Sequence, residues 1–179
     1  MPTSNFRHVS LIVEKMIESN PSSILDVGAG FGKWGCLARE YVDGWCNQRY
    51  FPSEWCTILH GVEIFEGYRS RLWDVYDTMV VGDVIKLIDK PTWALPQTGY
   101  DLVIMIDVLE HISKLEALLL LEKLKTISKK IVLSYSNCEQ TGVCANSHED
   151  HISKWSPEEF PGWDVISSDD LSVVLVWAK

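Results

Sequence analysis

The chain has no apolar run approaching the ~18 residues that a membrane-crossing helix needs, so no bilayer span is expected. Its first eight residues, Met1 to His8, lack the apolar core of a secretory signal. Cysteine is scarce. Five residues, an odd number without framework spacing, exclude a disulfide-stapled scaffold and predict reduced thiols in a cytoplasmic setting. Basic charge is short as well: 16 Lys and Arg against 25 Asp and Glu leave a net charge of −9. That excludes broad, sequence-independent nucleic-acid binding, which requires a basic face, though a short nucleic-acid end can still enter one pocket. Linkers rich in Pro, Gly or Ser, internal repeats and low-complexity tracts are also missing. The 179 residues therefore read as one domain, 1–179, long enough for a real core.

What is present is an alternation of apolar segments and turns. Phe6, Val9, Ile12, Val13, Met16 and Ile17 recur at helical spacing, predicting an amphipathic helix over 5–19 that stops at Asn20-Pro21. Residues 22–28 predict a strand and 32–43 a helix, while 44–56 is irregular and rich in Trp, Cys and Tyr. A second strand follows at 58–63, a helix at 66–76 and a short strand at 79–81. Residues 100–107 are nearly all apolar between acids, as expected of a strand buried on both faces. The helix predicted over 109–127 should bury Leu115, Leu118, Leu119, Leu121 and Leu124. Residues 130–135 form a fifth strand, a polar loop runs to about 153 with a short helical start at 155–160, and strands at 163–167 and 171–178 close the chain. This order predicts an α/β fold. Its sheet is seven-stranded and mostly parallel, with an antiparallel C-terminal edge strand and helices on both faces.

Between the first strand and its helix lies Asp26-Val27-Gly28-Ala29-Gly30-Phe31-Gly32-Lys33-Trp34-Gly35. A strand that breaks into glycines and reopens as a helix sets bare backbone N–H groups against a nucleotide-like ligand. Two cofactor classes compete for this turn. Gly30-x-Gly32-x-x-Gly35 fits the dinucleotide fingerprint, which wants an acid about 20 residues on. Only Glu54 stands there, inside a loop, and Glu63 comes late. Asp26-x-Gly28-x-Gly30-x-Gly32 has three companions in register instead: Glu63 ending strand two, Gly82-Asp83-Val84 after strand three, and Asp107-x-x-Glu110-His111 after strand four.

That set resembles the class I S-adenosylmethionine methyltransferases over nearly the whole chain. The resemblance implies a Rossmann-like sheet, with Asp26, Gly28, Ala29, Gly30 and Gly32 cradling the methionine end of the cofactor. It implies that Glu63 grips the ribose hydroxyls, that Asp83 and Val84 meet the adenine, and that Asp107 lies beside the transferable methyl. Methyl transfer is an in-line displacement in which the cofactor brings the leaving group, so the protein must orient and deprotonate the acceptor. Glu110, His111 and His151 are the catalytic candidates.

The loop Asp150-His151-x-x-x-Trp155-Ser156-x-x-Glu159-Phe160 resembles the segment of small-RNA 3′-end 2′-O-methyltransferases that carries a metal-binding histidine. Those enzymes have Glu-x-x-Glu-His after strand four, as do ubiquinone-pathway O-methyltransferases. The resemblance implies Asp107, Glu110, His111 and His151 as ligands of Mg²⁺ or Mn²⁺, with Asp107 one methylene shorter than the family residue. Such an ion can grip adjacent hydroxyls and acidify the one attacked. The same loop equally resembles metal-free small-molecule methyltransferases of bacterial and phage gene clusters, where the histidine is a general base. A zinc site from Cys138, Cys144, His148 and His151 fits no standard finger spacing. Trp34, Trp45, Trp55 and Trp155 fall beside the expected pocket loops. Three readings stand: O-methylation of a small molecule, 2′-O-methylation of RNA 3′ ends, and a non-catalytic cofactor-binding partner subunit.

Overall fold

The computed structural model describes residues 4–90, 99–142 and 146–179. After a 3₁₀ turn at Phe6–His8, helix α1 (Val9–Ser19) buries Ile12, Val13 and Met16, and it ends at Asn20 in a left-handed cap. Strand β1 (Ser23–Val27) leads through the glycine turn into α2 (Lys33–Ala38), which runs on as wider π turns over Arg39–Cys46. This extension beyond the expected end follows from Arg39. Its buried guanidinium bonds Asp43 (2.8 Å), the Thr57 carbonyl (2.7 Å) and the Val75 carbonyl (2.9 Å), tying the extension to the next strand.

The remaining elements are β2 (Ile58–Glu63), β3 (Thr78–Val81), α3 (Val84–Leu87), β4 (Tyr100–Ile106), α4 (Lys114–Ile127), β5 (Ser128–Ser136), β6 (Asp164–Ser168) and β7 (Ser172–Ala178). The sheet order is β3-β2-β1-β4-β5-β7-β6. Strands β1 to β5 pair in parallel and β7 runs antiparallel to both its neighbours. The antiparallel strand thus lies one position inside the edge. Val173 to Val176 of β7 are buried, whereas β6 is largely exposed and so occupies the rim.

Side chains alternate between two cores. Leu25, Val27, Val103 and Met105 point toward α4, and Ile24, Leu102, Ile104 and Ile106 toward α1 and α2. Helices therefore cover both faces. Among the described residues no helix is long and apolar enough to cross a membrane.

Two expectations are corrected. Residues 66–76 form two 3₁₀ turns, Glu66–Tyr68 and Arg71–Val75, because Ser70 between them adopts extended backbone and its hydroxyl accepts from the Leu72 N–H. The 109–127 helix is also broken, into a 3₁₀ turn at Leu109–His111 and then α4, with extended backbone at Ile112 and Ser113. The break resets the helical register. Ala117, Leu120, Leu121 and Leu124 face the sheet, and Leu115, Leu118 and Leu119 are exposed.

Candidate active site

All five parallel strands deliver their C-terminal ends to one edge, and the order reverses between β1 and β4, which opens a crevice there. A cavity of about 480 Å³ fills it, within the roughly 300–1,000 Å³ usual for small-ligand sites. Residues 27–30 and 106–108 line one side, joined by Glu63, Asp83 and Val84 from the neighbouring strand ends.

Gly28 has φ of 76°, and a Cβ there would sit 2.2 Å from Val108 Cγ2, so only glycine keeps this wall open. The next glycine is clamped from two sides. Glu63 Oε2 accepts from the Gly30 N–H (2.8 Å), while the Trp73 indole N–H donates to the Gly30 carbonyl (2.8 Å). Glu63 Oε1 accepts from the Phe65 N–H (2.9 Å). Burial, reinforced by the Glu149 charge, pushes the Glu63 carboxyl above its ordinary pKa. Asp83 caps α3 by accepting from the Ile85 N–H (3.0 Å), and its other oxygen lies 3.0 Å from the Lys86 ammonium.

Asp26 and Gly32 are placed elsewhere, outside the cavity wall. Asp26 is fully buried on the α1/α2 face of the sheet, where the Tyr76 hydroxyl donates to its Oδ2 (2.5 Å) and in turn accepts from the Gly35 N–H (3.0 Å). Its Oδ1 has no partner, and burial pushes the carboxyl up to about 7. This acid ties the strand to α2. The parity of β1 explains it, since Asp26 shares the face of Ile24.

Across the cavity the acceptor-side candidates meet. One ligand atom from each of Glu110, His111 and His151 lies within 4.8 Å of the others, and the two imidazoles stand edge to face at 4.9 Å. Glu110 is 1% exposed. Its Oε1 accepts from the Ser136 N–H (2.8 Å), its Oε2 has no partner, and burial with the Asp107 charge pushes it up to about 8. His111 Nδ1 meets the Asp150 carbonyl (3.1 Å) and His151 Nδ1 the Cys138 carbonyl (2.6 Å). A carbonyl only accepts, so each Nδ1 carries the proton and each Nε2 keeps a lone pair in the neutral ring. Burial lowers the His111 pKa and favours that neutral form. The loop is pinned here by the Ile152 and Ser153 N–H groups, which donate to the Glu110 carbonyl (2.9 and 3.1 Å).

Asp107 does not join this cluster. With φ of 53° it lines the cavity, but its carboxylate accepts from the Ser134 hydroxyl (2.5 Å) and the Asn5 N–H (3.3 Å). Of the four tryptophans, Trp34 reaches the cavity, Trp155 packs on Phe160, Trp55 stacks on Arg39 and Trp45 is at the surface. Cys144 of the zinc alternative lies outside the described residues.

Sequence reading missed several wall residues. Lys33 stood in plain view inside the glycine segment, and Glu149 beside His151. Ser4, Asn5, Phe6, Tyr68 and Asn146 reach the cavity only through long-range contacts, such as Tyr68 donating to Glu149 Oε1 (2.8 Å).

Fold, cavity and glycine turn define a Rossmann-like α/β enzyme with its site at the strand-order switch. A family model described as a methyltransferase domain matches residues 3–168. The chain belongs to that family and is an S-adenosylmethionine-dependent methyltransferase. Solved structures share the fold. The N-terminal domain of EvdMO1, determined in the presence of S-adenosylhomocysteine and D-fucose, is 15% identical with a TM-score of 0.62, over 98% of this chain and 84% of that one. The methyltransferase domain of bacterial CtHen1-CN is 17% identical with a TM-score of 0.61, over 98% of this chain and 100% of that one. An O-methyltransferase family protein from Burkholderia thailandensis is 8% identical with a TM-score of 0.62, over 97% of this chain and 57% of that one. No curated protein sequence matches the chain.

Proposed function

We propose that this enzyme methylates a hydroxyl of a small molecule, with Glu110, His111 and His151 forming the acceptor side around a divalent ion. The observation that carries this reading is their convergence opposite the glycine turn, with one buried Glu110 oxygen unpartnered. Two imidazoles held by backbone carbonyls through Nδ1–H have the outer-shell support seen at metal-binding histidines. A donor set of two nitrogens and one carboxylate suits Mn²⁺ better than Mg²⁺. The ion would acidify a bound hydroxyl and hold an adjacent one.

Gly28, Ala29, Gly30, Glu63, Asp83 and Val84 are the residues proposed to hold S-adenosylmethionine, which supplies the methyl and the leaving group when bound. The chain itself orients the acceptor and excludes water, and in the metal-free alternative an imidazole lone pair would take the released proton. Among the described residues Cys36, Cys46, Cys56 and Cys138 are free thiols, which accords with the proposed reducing, cytoplasmic setting.

RNA 3′ ends are the second reading, favoured by the docking of Ile152 and Ser153, within the 150–160 segment, on the Glu110 carbonyl. The cavity charge favours the first: among the described wall residues Lys33 is the one lysine or arginine, against five acids. A labelled-methyl assay on small vicinal diols and on short RNAs with intact 3′ diols, in EDTA and in Mn²⁺, tests both. Transfer to the small diols is expected, lost in EDTA and restored by Mn²⁺, with Glu110→Gln slower by about 10²-fold or more. Transfer to RNA alone would shift the assignment to RNA, and full activity in EDTA would remove the metal.

A further inference from the structure

The cavity sorts charge. Glu63, Asp83, Asp107, Glu110 and Glu149 surround it, and the one opposing cation among the described wall residues is Lys33. Its ammonium contacts the Ser4 hydroxyl and lies 4.6 Å from the centre of the Trp34 ring. The side chain is half drawn out of water, and burial lowers its pKa against the opposing charges of Asp107 and Asp26. Among the described residues this half-desolvated ammonium is bonded to a neutral hydroxyl and forms no close ion pair that would offset its lost hydration.

From this placement we infer that Lys33 recognises the α-carboxylate of the cofactor's methionine end and makes the site selective for adenosyl ligands that carry it. The inference rests on the assignment of S-adenosylmethionine to this cavity. Its carboxylate is the one anionic group of that cofactor, and every other charged neighbour in the wall, apart from a protonated histidine, would repel it. Lys33 follows the glycine turn directly, so the carboxylate would be held at the Gly28–Gly30 end while the diol lies toward Glu63. The lysine thereby sets the direction in which the cofactor enters. The exchange is simple: the Ser4 hydroxyl gives way to the carboxylate as the ammonium's partner, with no covalent step.

Calorimetric titration with two probes tests this: S-adenosylhomocysteine, and S-adenosyl-3-thiopropylamine, which differs only in lacking the carboxylate. Wild-type protein should bind the homocysteine ligand about tenfold or more tightly, the weight of one charge-assisted contact. Lys33→Met should abolish that preference by weakening S-adenosylhomocysteine alone, and Lys33→Arg should keep most of it. Equal affinity of wild type for the two probes overturns the assignment, as does equal loss of both in Lys33→Met. If wild-type protein binds neither probe, the cofactor reading itself falls and the lysine's role with it.

Discussion

Asp26 and Glu110 are both carboxyls sealed from water with one oxygen bonded and the other unpartnered, yet they serve opposite sides of the sheet. Glu110 faces the cavity, where its spare oxygen is available to a ligand. Asp26 faces packed side chains, and its proton affects folding. Its pKa of 3.8 in the open chain rises to about 7 on folding, with burial the largest cause and the Tyr76 hydrogen bond opposing it. The folded state therefore holds the proton more tightly. The resulting stability is full below pH ~4 and is lost as pH rises through ~7, at up to about 1.4 kcal/mol per pH unit. Asp26→Asn should flatten the pH dependence of stability between pH 4 and 8, measured by urea unfolding. An unchanged slope would show that other groups govern that window.

Elements matter here through where they stop. The break at Ile112–Ser113 leaves Glu110 and His111 on their own 3₁₀ turn, free to face the cavity while α4 packs on the sheet. Helical periodicity alone ran 109–127 together and, while right about Leu121 and Leu124, wrongly buried Leu115, Leu118 and Leu119, because the register is set by a break whose cause is tertiary. Helix α2 is fixed differently. A Cβ at Gly35 would lie 2.3 Å from Tyr76 Cζ, and Tyr76 cannot retreat because it is buried and bonds both Asp26 and the Gly35 N–H. Gly35→Ala should cost about 1–3 kcal/mol through overpacking, seen as a lower urea midpoint at unchanged slope. A loss under about 0.5 kcal/mol would mean the helix shifts freely.

For the whole molecule, the ends of β1, β2, β3 and β4 meet in the one cavity proposed for the cofactor, so a ligand there should stabilise the entire sheet. S-adenosylhomocysteine at 100 times its dissociation constant should add about 2.7 kcal/mol, a rise of roughly 5–10 °C in Tm for a chain of this size. A melting temperature unmoved by saturating ligand would argue against the cavity as its site.

Much of this was legible in the chain. Strand identities, most helices, the glycine turn, and the stations of Glu63, Asp83, Glu110 and His111 after their strands are local matters of periodicity, backbone freedom and spacing, which the sequence by itself determined. Tertiary structure alone decided which of the candidate residues converge. Asp26 turns to the other face by strand parity, Asp107 is claimed by Ser134 and Asn5, and His151 arrives beside Glu110 because backbone N–H groups of its loop dock on the Glu110 carbonyl. The same holds for β7 inside the sheet and for the exposure of Leu115, Leu118 and Leu119 on α4. The physical reason is common to all of them: each depends on hydrogen bonds and packing between segments far apart in the chain, and local pattern carries no record of those partners.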